Sequence, residues 1–285
     1  KKPGTSCFFV EPDIYEFLDW VADQAKEHDI ALLPEVHAHY SIQYKLAERG
    51  FRIYDFILPF TVLDALVNRS SGMLLRYLRS RPANQFTMLD CHDGIPVKPD
   101  LDDLIDTAQA RRVVELCLER GANLSYVISD RHKSPDGFDV HQIRCTYYDA
   151  LGRDDDAYLA ARAIQLFTPG IPQIYYVGLL AGENDAARVE ATGDGREINR
   201  HNYTPDEIDQ AVKRPVVQRL VRLIRFRNEC EAFQGSFRVC DSDNREIRLR
   251  WEKDGSRCEL LVDLDTYRTV IRHADGQGEE AQWVV

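Results

Sequence analysis

Seven cysteines stand at 7, 91, 117, 145, 230, 240 and 258, an odd number with no CxxC or CxxH pair among them. That spacing argues against a disulfide framework and against a zinc site. Reduced thiols in a cytoplasm fit better. No apolar run approaches the ~18 residues that span a bilayer. Lys1-Lys2-Pro3-Gly4-Thr5 does not read as a signal peptide, and no initiator methionine precedes it. Internal repeats and low-complexity stretches are also lacking. Positive charge is short: 36 Lys and Arg against 47 Asp and Glu leave a net −11. A phosphate backbone repels such a surface, so nucleic acid is a poor partner. What is present is ordinary for a soluble globular chain: 285 residues, 44% apolar and 29% charged. That length allows one large domain and a small one.

Strand and helix signals alternate up to about residue 232. Residues 11–28 read as an amphipathic helix, with Pro12 in its first turn and Ile14, Phe17, Leu18, Val21 and Ala25 on one face. The run Ala31-Leu32-Leu33-Pro34-Glu35-Val36 reads as a buried strand. A helix over 41–49 stops at Gly50. Strands are expected over 51–58, 86–90 and 170–176, and helices over 62–80, 103–120 and 153–167. Thr204-Pro205-Asp206-Glu207 is a capping box that starts another helix, and a longer one runs to about 230. The segment 96–147 breaks the rhythm and reads as an excursion between two strands of the main sheet.

After Phe233 the period becomes two. Ile247, Leu249 and Trp251 alternate with charges, and Asp254-Gly255 turns the chain into Cys258, Leu260 and Val262. The division expected is a unit over 1–232, with its inserted subdomain at about 96–147, and an antiparallel β domain over 233–285. Four βα units do not close a (β/α)8 barrel, which needs eight strands. The pattern fits half a barrel, and it fits an open α/β sheet equally well.

Three polar clusters follow the expected strands: Glu35-Val36-His37-Ala38-His39, Asp90-Cys91-His92-Asp93-Gly94 and Gly195-Arg196-Glu197-Ile198-Asn199-Arg200-His201. Carboxylates at the C-terminal ends of parallel strands lie where barrel enzymes keep their sites. Glycoside cleavage needs two of them, one to protonate the leaving oxygen and another to attack or stabilise the sugar cation. Bland alternatives stand beside each cluster. A Glu after a strand is commonly a surface or capping residue, and a His-Asp pair is commonly structural. His37 and His39 raise a metal reading, but metal sites need three or four ligands.

Pro34-Glu35-Val36-His37 and Thr87-Met88-Leu89-Asp90-Cys91-His92-Asp93-Gly94-Ile95 resemble the acid/base and His-Asp motifs of α-amylase-type glycoside hydrolases. More narrowly, Gly4-Thr5-Ser6-Cys7-Phe8, Tyr54-Asp55-Phe56, Cys145-Thr146-Tyr147-Tyr148, Pro169-Gly170-Ile171-Pro172-Gln173-Ile174-Tyr175-Tyr176 and the 195–201 cluster resemble the sucrose phosphorylase subfamily. The resemblance implies the C-terminal half of a (β/α)8 barrel, followed by a small antiparallel β domain. It implies Glu35 as general acid/base and Asp93 as the carboxylate that stabilises the oxocarbenium-like transition state. His92 and Arg196 would bind the donor glucose. His37 would lie by the acceptor, and Asp139, His141 and Gln142 on a loop serving acceptor and phosphate in turn. The family's nucleophile, an Asp, and its first four barrel strands would lie before Lys1. The missing N-terminal half-barrel is thus an expected partner, and residues 1–285 alone are expected to be inactive.

The activity implied is reversible phosphorolysis of an α-glucoside by double displacement, with inorganic phosphate as co-substrate and no metal or organic cofactor. Partners are a small carbohydrate and phosphate, with no membrane, and a homodimer is compatible. His141 and Arg144 stand where sucrose phosphorylases usually carry Tyr and Asn, so both positions can be cationic and suit an anionic acceptor. The stretch 88–100 resembles glucosylglycerate phosphorylases, which makes 2-O-α-glucosylglycerate the expected substrate, with sucrose 6′-phosphate and then sucrose as alternatives. A hydrolase and a non-catalytic fragment complete the set.

Overall fold

The computed structural model describes residues 9–128 and 133–285, the Asp102 side chain excepted. Residues 4–8 of the family-like motif, Cys7 included, lie outside them. In chain order the helices are α1 (Asp13–Lys26), α2 (Tyr40–Glu48), α3 (Leu58–Val67), α4 (Gly72–Ser80), α5 (Thr107–Glu119), α6 (Tyr147–Ala150), α7 (Asp155–Phe167), α8 (Tyr176–Leu179), α9 (Ala186–Thr192), α10 (Pro205–Ala211) and α11 (Pro215–Glu229). The strands are β1 (Ile53–Asp55), β2 (Gln85–Thr87), β3 (Ile95–Pro96), β4 (Asn123–Tyr126), β5 (Val140–Arg144), β6 (Ile171–Pro172), β7 (Ser236–Val239), β8 (Glu246–Lys253), β9 (Ser256–Asp263), β10 (Thr269–Ala274) and β11 (Glu280–Val284).

Three short parallel strands, in the order β1-β2-β6, are the barrel staves. The expected stave over 31–36 does not pair. Pro34 brings no N–H to a ladder, and the segment stays half-exposed, with Leu32 and Val36 resting on a small core of Tyr15, Leu46, Ala47, Phe51 and Ile53. The strand expected over 170–176 shortens to Ile171–Pro172, and Tyr176 opens α8 instead. The strand expected over 51–58 ends at Asp55, because its carboxylate caps the next helix by accepting from the Ile57 and Leu58 amides at 3.2 and 3.0 Å.

The helix expected over 62–80 is two helices. Arg69 takes φ 50, and the C-terminal sheet pins the break: Asn244 accepts from the Ser71 amide at 2.9 Å and the Gly72 amide at 3.1 Å. α3 and α7 are buried nearly all round, as their apolar composition requires. The 96–147 excursion forms a three-stranded antiparallel sheet, β3-β5-β4, with α5 capped by Asp106. The capping box at Thr204 forms as the sequence indicates.

The C-terminal sheet runs β11-β10-β9-β8-β7, all antiparallel, with Asp254-Gly255 in the β8–β9 turn. Leu249, Trp251, Leu260 and Val262 face inward and join one large core with α3, α7 and α11. The Trp251 indole donates to the Phe167 carbonyl at 2.7 Å, fixing the sheet to the end of α7.

Candidate active site

Asp93 stands on a loop held from several sides. β2 leads through buried Met88 and Leu89 to Asp90, whose carboxylate meets the fully buried guanidinium of Arg162 at 2.5 Å. Arg162 also bonds Tyr158 Oη and the Gln165 side chain, and Gln165 donates to the carbonyls of Thr87 and Gln173 at 2.9 and 2.8 Å. α7 thus carries a polar spine that bonds the ends of β2 and β6 together. Only glycine fits at 178, since a Cβ there would collide with the Asp90 carboxylate and the Arg162 guanidinium.

On this platform the 91–93 turn is gripped from the 195–201 segment. The Asn199 side chain donates to the carbonyls of Cys91 and Asp93 at 3.0 and 2.6 Å. Arg200 donates to the His92 carbonyl at 2.8 Å and reaches Asp93 Oδ1 at 3.3 Å. Asp93 is 18% exposed, and His92, at 58%, lies beside it with Nε2 3.9 Å from the carboxylate. Burial, with the nearby Asp93, Asp90 and Glu35 charges adding to it, pushes the Cys91 thiol up to about 12, so it is no nucleophile here.

Glu35 lies on the unpaired 31–36 segment and is 50% exposed. Single ligand atoms of Glu35, His92 and Asp93 lie within 4.8 Å of one another. The trio is therefore a converging pair of carboxylates beside an imidazole. It is also a ligand set a metal could use, although Arg200 already supplies Asp93 with a cation. His37 stacks on Phe56 at 4.0 Å, with Nδ1 3.4 Å from buried Asp100 and Nε2 4.0 Å from Glu35. Burial pulls its pKa down, but Asp100, then Glu35 and Asp93, outweigh that and raise it. His39 turns the other way, to Ser41 and Asp103, so the two histidines do not converge.

The acceptor-loop residues divide. Ser125 pairs with Gln142 and Tyr126 with Val140, which leaves His141 as the extra residue of a bulge. Bulges re-aim side chains, and here His141 packs edge-on to His37 at 5.8 Å, its Nδ1 bonded to the Lys98 carbonyl. Asp139 accepts from the Ser134 amide at 2.7 Å, and Gln142 is buried. Arg144 is three residues from His141 on an extended strand and so takes the opposite face, toward Asn123 and Gly195. His141 and Arg144 therefore have different neighbours.

Arg196 is not the arginine that holds Asp93. It is exposed, and among the described residues its side chain has no carboxylate partner, while Arg200 holds Asp93. The 3-10 turn at Gly195–Asn199 decides this: it buries Ile198 and Asn199 and swings the next residue, not Arg196, onto the site. Asn199, Arg200, Asp100 and Arg162 were not singled out by sequence. The first two did lie in a cluster that was, and the only signal available was a polar run after a helix cap.

No family model matches the chain. It is 65% identical over 285 residues to the sucrose 6(F)-phosphate phosphorylase of Thermoanaerobacterium thermosaccharolyticum, covering 100% of this chain and 58% of that protein. It is 31% identical over 256 residues to the glucosylglycerate phosphorylase of Escherichia coli, covering 80% of this chain and 45% of that protein. The crystal structure of sucrose 6F-phosphate phosphorylase from Thermoanaerobacter thermosaccharolyticum matches with a TM-score of 0.98 and 65% identity, over 100% of this chain and 58% of that one. An α-amylase from H. orenii matches at a TM-score of 0.62 and 16% identity, over 96% of this chain and 52% of that one, which speaks for the fold alone. The chain thus spans under two thirds of the length of these relatives. It belongs to the sucrose phosphorylase family of α-amylase-type glycoside hydrolases and forms the C-terminal portion of that family's barrel together with its antiparallel sheet.

Proposed function

We propose that this chain supplies the general acid/base and the transition-state carboxylate of a retaining α-glucosyl phosphorylase. The observation that carries the reading is the convergence of Glu35, His92 and Asp93 beyond the C-terminal end of the β1-β2-β6 sheet, where barrel enzymes act. Glu35 protonates the departing glycosidic oxygen, while Asp93, held by Arg200, faces the positive charge that grows on the sugar. A nucleophilic Asp, expected from the part of the family fold upstream of Lys1, takes the glucosyl group. Phosphate then displaces that carboxylate, giving α-glucose 1-phosphate with retention. Phosphate carries its own nucleophilic oxygen, so the second step asks little of Glu35 as a base. No metal or organic cofactor is needed for either displacement.

The acceptor reading moves away from glycerate. The 88–100 stretch pointed there, but the glucosylglycerate enzyme is 31% identical against 65% for the sucrose 6(F)-phosphate enzyme. Sucrose 6′-phosphate is the substrate we favour. His37, whose pKa burial lowers but chiefly Asp100 raises above its ordinary value, supports an anionic acceptor, with the His141 ring packed edge-on to it. Product analysis tests the reading in the intact enzyme. Glucose 1-phosphate formed from sucrose 6′-phosphate plus phosphate is the expected result. Free glucose alone would make it a hydrolase, and glucosylglycerate consumed in preference would restore the glycerate reading.

A further inference from the structure

The turn that grips Asp93 is itself clamped. At one end Glu197 pairs with Arg188, and the Ile198 carbonyl accepts from the Asp185 amide at 2.8 Å. At the other end stands His201, directly after Arg200. Its Nδ1 lies 2.6 Å from Asp185 and its Nε2 3.2 Å from Glu207, so α9's cap and the first turn of α10 hold one ring between them. The His201 carbonyl accepts from Tyr176 Oη at 2.9 Å, and Tyr203 lies edge-on to the ring at 4.6 Å. Glu183 and Arg214 face the same 310 Å³ pocket. A neutral imidazole has one N–H and can serve only one of two carboxylates; the doubly protonated ring serves both.

We infer that His201 is a positioning residue for Asp93: its imidazolium, bridging Asp185 and Glu207, clamps the 195–201 turn so that Asn199 and Arg200 hold the Asp93 loop, and the clamp slackens when the ring loses its proton. The assignment rests on the reading of Asp93 given above. The Asp185 bond raises the ring's pKa, burial opposes it, and Glu207 raises it further. The clamp is therefore complete below the ordinary histidine value near 6.5 and is lost as pH climbs through the higher folded value.

The test uses the intact enzyme with two variants and two readouts. His201→Gln offers a donor to one acid only. It should speed amide exchange at Asn199 and Arg200 and cut kcat about 10²-fold, with KM little changed. His201→Arg keeps two donors charged at every pH. It should restore protection and remove the part of the alkaline activity loss whose midpoint follows the His201 ring titration in NMR. Unchanged exchange in His201→Gln overturns the inference, as does an Arg variant with protection as low as that of the Gln variant. If the intact enzyme releases no glucose 1-phosphate, the phosphorylase reading falls, and exchange at Asn199 and Arg200 alone decides the clamp.

Discussion

The two carboxylates of the site stand on opposite kinds of ground. Asp93 follows a paired strand, rests on a buried Asp90–Arg162 ion pair and is gripped by Asn199 and Arg200. Glu35 sits on an unpaired segment over a small core, half open to solvent. The helix before it exposes Phe17 and Trp20 at 56% and 60%, whereas α3 and α7 are buried nearly all round. An acid/base wants a fixed geometry and a dry setting to protonate a leaving group. On the Asp93 side this chain provides such a setting by itself. On the Glu35 side α1 leaves Phe17 and Trp20 exposed, and the upstream half-barrel is the cover we propose.

The comparison can be broken at several points. The largest effect is expected at Glu35. Glu35→Gln should lower release of glucose 1-phosphate from the natural disaccharide by about 10³–10⁴-fold, and near-normal turnover would remove Glu35 from the role. Next comes the spine beneath Asp93. Arg162→Ala leaves Asp90 buried without its cation, which should cost about 3–5 kcal/mol of stability; thermal unfolding of the intact enzyme measures it, and a negligible shift would deny the platform its importance.

Arg200→Ala should lower kcat/KM about 10²-fold, while Arg196→Ala should change it little. The reverse ranking would favour Arg196 as the arginine that binds the donor glucose. His37 should titrate above the ordinary histidine value, since Asp100 outweighs burial. Its contribution to stability is whole below that value and fades as pH rises through the folded one. Asp100→Asn should therefore move the His37 resonance midpoint downward in an NMR titration, and an unmoved midpoint would show that Asp100 does not set it. The smallest effect is at the edge: Trp20→Ala in residues 1–285 alone should stay within about 0.5 kcal/mol, and a larger loss would mean that α1 packs its outer face within this chain.

Legibility followed the reach of the interactions. The C-terminal sheet was readable because period-two alternation and an Asp-Gly turn are local, and the 204–207 capping box because its two bonds lie within four residues. The staves were readable as apolar runs but not in length. Three of them pair over two or three residues, and one, interrupted by Pro34, does not pair. The break between α3 and α4 was hidden because Asn244, more than 170 residues away, holds it.

By itself the sequence determined most of the helices, the C-terminal strands, the acidic character of the chain and the motifs that mark the family. Those depend on residue kind and short spacing, which the chain carries openly. Tertiary structure alone decided which arginine meets Asp93 and that the His141 ring packs on His37. It also brought Asp100 to His37 and the Asn199 side chain to the Asp93 turn. The β-bulge at His141 displaces the strand by a single residue. A one-residue displacement changes which side chain faces the site, and nothing in the local pattern of apolar and polar residues records it.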